Sequence, residues 1–341
     1  MNRGEGVKPR KPQLDQTTLL TVQSREEAGP LGLSTAAFMH IRLFLALSRT
    51  AHGLMDMATP ALAALIWLGT FPPAHIFWLG IVTAFAGYTS VYALNDLVDW
   101  RTDAKRFEEG LISNTPDDLD SVLIRHPIAS GKLSMAKAIL WTSWWMVITL
   151  IGAFMLNPVC LLIFIIACIL EALYCLAWKS TWFKVLLSGI VKTSGAVAAI
   201  YAVDGQPSHG LLVTMFFWIF FWEIGGQNIP NDWSDIEEDR ILKASTIPVA
   251  FGLRVSVCII LACLVATVGL SCIVLVFSPL SDVLIYAGVS IGVGFYFLLL
   301  PGLNLYHKGT RSAALALFNH ASYYPICFMM VVVAGLLIRS S

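Results

Sequence analysis

Charge is what this 341-residue sequence has least of: 13% of its residues are Asp, Glu, Lys or Arg, where soluble domains carry roughly 25%. With 57% hydrophobic residues and a mean hydropathy of +0.73, that scarcity excludes water as the main solvent. Net charge is missing too. The 22 basic residues balance 22 acidic ones, so no overall field would draw in nucleic acid. There is no CxxC or CxxH pair. Cys160, Cys168, Cys175, Cys258, Cys263, Cys272 and Cys327 all stand in apolar runs, which excludes a disulfide frame or a Cys/His metal site and leaves small packing residues. The first 37 residues lack the apolar core of a secretory signal, and Asp15, Glu26 and Glu27 count against a transit peptide. They are expected to form a disordered cytosolic tail, followed by one membrane domain over 38–341.

What the chain does have is a succession of apolar stretches of bilayer length, over 52–71, 74–94, 134–156, 158–178, 183–203, 208–230, 249–277, 282–303 and 312–338. Lipid admits only helices or a closed barrel, and unalternating runs of about 20 residues choose helices. The expected fold is all-α: a polytopic bundle of nine transmembrane helices. With the N-terminus in the cytosol, 21 of the 22 Lys and Arg residues fall on or near the cytosolic side, and only Arg339 falls opposite. That positive-inside bias supports both the number of spans and their direction, in a membrane such as a prokaryotic inner membrane.

Two connections on the cytosolic side repeat one pattern. The second span runs into Asn95-Asp96-Leu97-Val98-Asp99-Trp100-Arg101-Thr102-Asp103. The sixth runs into Asn231-Asp232-Trp233-Ser234-Asp235-Ile236-Glu237-Glu238-Asp239. Both read N-D-x-x-D-x-x-x-D. Residues four apart on a helix share a face, so Asn95, Asp99 and Asp103 line one stripe and Asn231, Asp235 and Asp239 another, with Asp96 and Asp232 flanking. Stacked carboxylates at a helix C-terminus repel one another and the dipole. Mg²⁺, which takes oxygen ligands and bridges carboxylate to phosphate, would offset that.

The paired motifs, nine spans and shared face resemble the UbiA superfamily of intramembrane aromatic prenyltransferases, over roughly residues 45–335. Further stretches are similar to the family's: Ser48-Arg49-Thr50-Ala51-His52 at the first helix, His126-Pro127-Ile128-Ala129-Ser130-Gly131-Lys132 after the first motif, Tyr174 followed by Lys184, and Thr246-Ile247-Pro248-Val249 after the second motif. Departures are His126, where Arg is usual, and a long segment between Asp103 and Pro127 carrying Asp117, Asp118 and Asp120. The resemblance implies a polyprenyl diphosphate donor, Mg²⁺ and a lipophilic, usually aromatic acceptor within the lipid membrane. Asn95, Asp96, Asp99, Asp103, Asn231, Asp235 and Asp239 would hold the metal, with Asp99 and Asp235 central to catalysis. Arg49, Lys184, Lys192, Arg125 and Lys243 are the candidate diphosphate clamps.

Departure of diphosphate would leave an allylic cation, which needs a dry cavity and can be stabilised by aromatic faces. Tyr88, Tyr92, Tyr174 and Trp178 are candidates, with ordinary packing the alternative for each. Charges deep in a membrane normally face the bundle interior. Asp56, Glu171 and Glu223 qualify. Glu223, Gln227, Asn231, Asp235 and Asp239 are successive i, i+4 neighbours, which predicts that Glu223 and Gln227 line the cavity and orient an acceptor or take its proton. Two other readings stay open. A terpene cyclase would use the same donor site without a separate acceptor, and a cation transporter would carry charges through the full depth of the membrane.

Overall fold

The computed structural model describes residues 32–110, 123–280 and 282–340, with side chains described from His40 to Arg339. The tail expected up to residue 37 therefore lies outside the described residues as far as residue 31, and the chain is helical from Gly32 onward. The acidic stretch with Asp117, Asp118 and Asp120 also lies outside them. Residues up to Arg42 form one contact unit and residues from Leu43 onward a second, which carries all that follows.

Among the described residues, nine helices are long and apolar enough to cross a membrane. In chain order the elements are α1 (Gly32–Leu47), α2 (Thr50–Asp56), α3 (Ala58–Leu68), α4 (Ala74–Glu108), α5 (Met135–Leu156), α6 (Pro158–Ala177), α7 (Lys184–Val203), α8 (His209–Trp222), a π-helical segment (Glu223–Asn228), α9 (Ile229–Ser234), α10 (Ile236–Leu242), α11 (Ile247–Phe277), α12 (Val283–Gly294), a second π-helical segment (Phe295–Leu299), α13 (Leu300–Lys308) and α14 (Arg311–Ser340). Local chemistry sets the ends. Gly69 stops α3 in the left-handed conformation at φ 64°, which costs glycine little. Asn157 caps α6 by accepting from the Val159 amide at 2.9 Å, with Pro158 in the first turn.

The second span differs most from expectation. It does not end near residue 94 but continues as one 35-residue helix through the whole first motif. The second motif is instead broken. After the π-helical segment, Asp235 leaves helical geometry at φ −103°, ψ 13° between α9 and α10.

Helix packing in lipid draws on close contact and interhelical hydrogen bonds more than on apolar burial, and the core shows both. Trp218 Nε1 donates to Tyr324 OH at 3.1 Å and Trp222 Nε1 to the Ala321 carbonyl at 3.0 Å, tying α8 to α14. At Gly225, an added Cβ would lie 2.6 Å from Cys263 Cβ and 3.0 Å from the Ile260 carbonyl oxygen, so only glycine lets α11 pack this close. Helix α3 packs between α7 and α14, and α2, α4, α6 and α7 surround the remaining interior space.

Candidate functional site

Both acidic motifs sit at the same end of the bundle, and one side chain joins them. Arg106, one turn beyond Asp103 on α4, places its guanidinium 3.6 Å from Asp103 and 3.4 Å from Asp239 on α10. Trp178 stacks against this guanidinium at 4.8 Å, so it serves here to position Arg106. By sequence alone Arg106 is simply one of the 21 basic residues on or near the cytosolic side. Its i+3 spacing from Asp103 was a usable signal, but its reach to Asp239 depends on how α4 and α10 converge.

Cations and carboxylates alternate across this end. His126, at positive φ (48°), places Nδ1 3.0 Å from Asp96 and 2.8 Å from Asp103. Burial lowers the imidazole pKa, but the Asp103 and Asp96 carboxylates outweigh it and raise it to about 9. Lys184 Nζ lies 2.9 Å from Asp232 Oδ1, with both side chains buried, and sits over the Tyr174 ring at 5.0 Å. Burial and neighbouring Asp232 push the Asp239 carboxyl up. Arg125 acts electrostatically on Glu238, which also lies 3.9 Å from Arg311. Arg49, another residue at positive φ (41°), reaches Asn95 Oδ1 at 3.4 Å and acts on Asp99 together with Arg106. Asn95 Nδ2 donates to Glu171 Oε1 at 2.6 Å.

The donor set fits a divalent cation on an observation of its own. Asp96 Oδ2, Asp232 Oδ2 and Asp239 Oδ2 are buried and accept no hydrogen bond, and such anionic oxygens are costly unless something positive meets them. Asp96 and Asp103 already converge on one positive charge, the His126 imidazole, with one atom of each residue within 4.8 Å of the others. Asp232 was left out of the ligands read from sequence, although it holds the same place in its motif as Asp96.

A cavity of about 830 Å³ runs inward from this end, and its wall includes Asn95, Asn231, Tyr92, Tyr174, Glu223 and Gln227. Asn228 joins it, donating to Tyr174 OH at 3.1 Å. Gln227 also bonds to the Phe318 carbonyl at 3.3 Å and Ser322 Oγ at 3.1 Å, so it ties the cavity wall to α14. Two candidate clamps are not brought to the carboxylates of the motifs. Lys243 is an exposed residue ending α10 in the left-handed conformation. Lys192 lies deeper, 2.6 Å from Asp56.

The profile of the UbiA prenyltransferase family matches residues 57–323. A digeranylgeranylglyceryl phosphate synthase from Methanoregula boonei is 26% identical over 238 residues, 69% of this chain and 77% of that protein. Among solved structures, a UbiA homolog from Archaeoglobus fulgidus bound to GPP and Mg²⁺ superposes with TM-score 0.64 at 18% identity, covering 86% of this chain and 99% of that one. The apo structure of a UbiA homolog from Aeropyrum pernix K1 gives 0.63 at 18% identity, over 86% and 98%. With nine membrane-length helices and a profile match spanning both acidic motifs, the chain belongs to the UbiA prenyltransferase family and is an intramembrane transferase of prenyl groups.

Proposed function

We propose that the chain is a Mg²⁺-dependent enzyme that holds a polyprenyl diphosphate at the carboxylate end of the bundle and passes its prenyl group to a lipophilic aromatic acceptor. The observation that carries this reading is the Arg106 bridge between Asp103 and Asp239, which brings both motifs within reach of one diphosphate, beside three buried carboxylate oxygens lacking a donor. The Archaeoglobus homolog, solved with GPP and Mg²⁺, supports the same donor and metal.

Asn95, Asp96, Asp99, Asp103, Asn231, Asp232, Asp235 and Asp239 would hold the metal, which when bound neutralises the diphosphate and stabilises it as leaving group. Arg49, Arg106, Arg125 and Lys184 supply positive charge around the same end. The apolar cavity keeps water from the allylic carbon, while Tyr92 and Tyr174 face it from α4 and α6. The bias of basic residues toward this end supports a cytosolic orientation, as in a prokaryotic inner membrane.

The test is turnover of geranyl, farnesyl and geranylgeranyl diphosphates by purified protein with Mg²⁺, with and without phenolic acceptors. Diphosphate release coupled to a prenylated phenol is expected. A cyclic hydrocarbon formed without any acceptor would refute the transfer reaction, and no turnover of any donor would refute the donor assignment.

A further inference from the structure

Deeper in the cavity lies a second group of charges that donor binding does not use. Lys192 Nζ on α7 lies 2.6 Å from Asp56 Oδ2 on α2, 3.1 Å from Tyr92 OH on α4 and 3.8 Å from Glu223 Oε2. The Tyr92 hydroxyl also donates to Asp56, and His52 Nε2 lies 3.7 Å from Asp56 Oδ1. Ser188 Oγ donates to Glu223 Oε1 at 2.6 Å. Glu223 Oε2 is left over. It accepts no hydrogen bond, its side chain is only 6% exposed, and Glu223 lines the cavity.

A clamp between helices would be complete with Lys192, Asp56 and Tyr92. Glu223 is a second acid beside a single ammonium, and its Oε2 is an unused hydrogen-bond acceptor. Glu223 also opens the π-helical segment, a widened turn found mostly at functional sites. It precedes Asn231 by eight residues, as Lys184 precedes Lys192 by eight. Along α7 that spacing is about two helical turns, roughly 12 Å, so Lys192 lies below Lys184 and the carboxylate end.

We propose that Glu223, backed by Lys192 and Asp56, forms the acceptor subsite, and that it takes an uncharged phenol and rejects an acceptor bearing a carboxylate or phosphate there. This rests on the donor reading above. Glu223 Oε2 needs a donor, which a phenol O–H supplies and an anion does not. A buried carboxylate beside a single shared lysine repels a second anion. An alcohol could also donate, but a phenol, with acidity near that of tyrosine at about 10, can give its proton to a carboxylate in the course of reaction. In that step the C1–O bond of the donor breaks and its electron pair leaves on the diphosphate. An electron pair of the acceptor forms the new bond to C1, and the acceptor's proton passes to Glu223.

The test measures binding, apart from turnover. The chain in nanodiscs is saturated with Mg²⁺ and geranyl thiolodiphosphate, an unreactive donor analogue, and titrated calorimetrically with a hydroquinone and with the same ring carrying a carboxylate. The hydroquinone is expected to bind at least tenfold tighter. Glu223→Gln should reduce that ratio to less than threefold while the donor analogue's Kd stays within twofold. Should Glu223→Gln fail to fold, Glu223→Asp, which keeps the charge, should weaken the hydroquinone while preserving the order of preference. A carboxylated ring that binds as well as the hydroquinone, or a ratio untouched by Glu223→Gln, overturns the proposal. Donor analogue binding with no phenol binding overturns it alone, whereas failure of the analogue to bind overturns the donor reading and this inference together.

Discussion

Lys184 and Asp232 form the most enclosed ion pair at the carboxylate end, and Lys184→Met tests what holds that end together before any metal arrives. The separation is 2.9 Å and the side chains are 3% and 8% exposed, so screening by solvent is slight. At an effective dielectric of about 20, the attraction at that distance is about 6 kcal/mol. Much of it is offset by desolvation, and breaking such a pair from one side costs about 3–5 kcal/mol. Methionine keeps the apolar stem over Tyr174 but leaves Asp232 buried beside Asp239 with no cation of its own. In EDTA, the apparent Tm in detergent should fall by roughly 6–10 °C, at about 2 °C per kcal/mol for a chain of this size. The double variant Lys184→Met/Asp232→Leu should recover most of that loss, because no charge is then stranded. A fall of less than about 2 °C, or a double variant whose loss equals the sum of the two single ones, would refute the argument that this pair is buried and coupled.

Other outcomes follow from the same geometry. Asp99→Ala and Asp235→Ala should each abolish release of diphosphate from radiolabelled donor while the protein elutes as a folded species; retained activity in both would remove the metal assignment. His126→Ala strips a charged hydrogen-bonding partner, worth about 1.5–3 kcal/mol, from Asp96 and Asp103, so its Tm in EDTA should fall and Mg²⁺ should raise it by more than in the unaltered chain. An equal response to Mg²⁺ in both would mean that His126 does not neutralise these carboxylates. Gly225→Ala would press a methyl group against Cys263 and the Ile260 carbonyl, at a cost of about 1–3 kcal/mol read from the thermal transition. No loss at all would mean that α11 shifts freely at the π-helical segment.

The spans were legible because lipid narrows the choice to helices or a closed barrel and unalternating runs of this length choose helices; all nine expected spans find a counterpart among the described helices. The motifs were legible for the same local reason, since i, i+4 spacing fixes which carboxylates share a stripe. The finer placement depended on features without local cost in the sequence. The stripe from Glu223 to Asp239 assumed one regular helix, whereas the π-helical segment and the break at Asp235 rotate its parts against each other. That rotation brings Asn228 to Tyr174, a pairing that regular spacing does not show. Lys192 was grouped with the diphosphate clamps because basic charge in the cytosolic half looks alike at any depth. Its neighbours Asp56, Tyr92 and Glu223 come from three other stretches of chain, and only packing reveals that they meet.

The pattern of charge accounts for how such a site can exist without a metal. Arg106 spans Asp103 and Asp239, His126 spans Asp96 and Asp103, and Lys184 pairs with Asp232, yet one oxygen each of Asp96, Asp232 and Asp239 stays bare. Cations of the chain thus hold the ladders at bonding distance, while Asp96, Asp232 and Asp239 keep open valences that a protein cation of fixed reach does not fill. A divalent ion adds to such an arrangement without requiring that it first be built, which is the condition for a preorganised electrostatic site. The deeper group follows the same rule at smaller scale: Lys192 satisfies Asp56 and leaves Glu223 Oε2 open. In both places the unfilled valence is anionic, so the upper one suits a metal and the lower one a proton donor. Carboxylate number separates the two among the described residues: the upper end, where α4 and α10 converge on Arg106, gathers acids from both motifs, whereas the lower group holds Asp56 and Glu223 around one lysine.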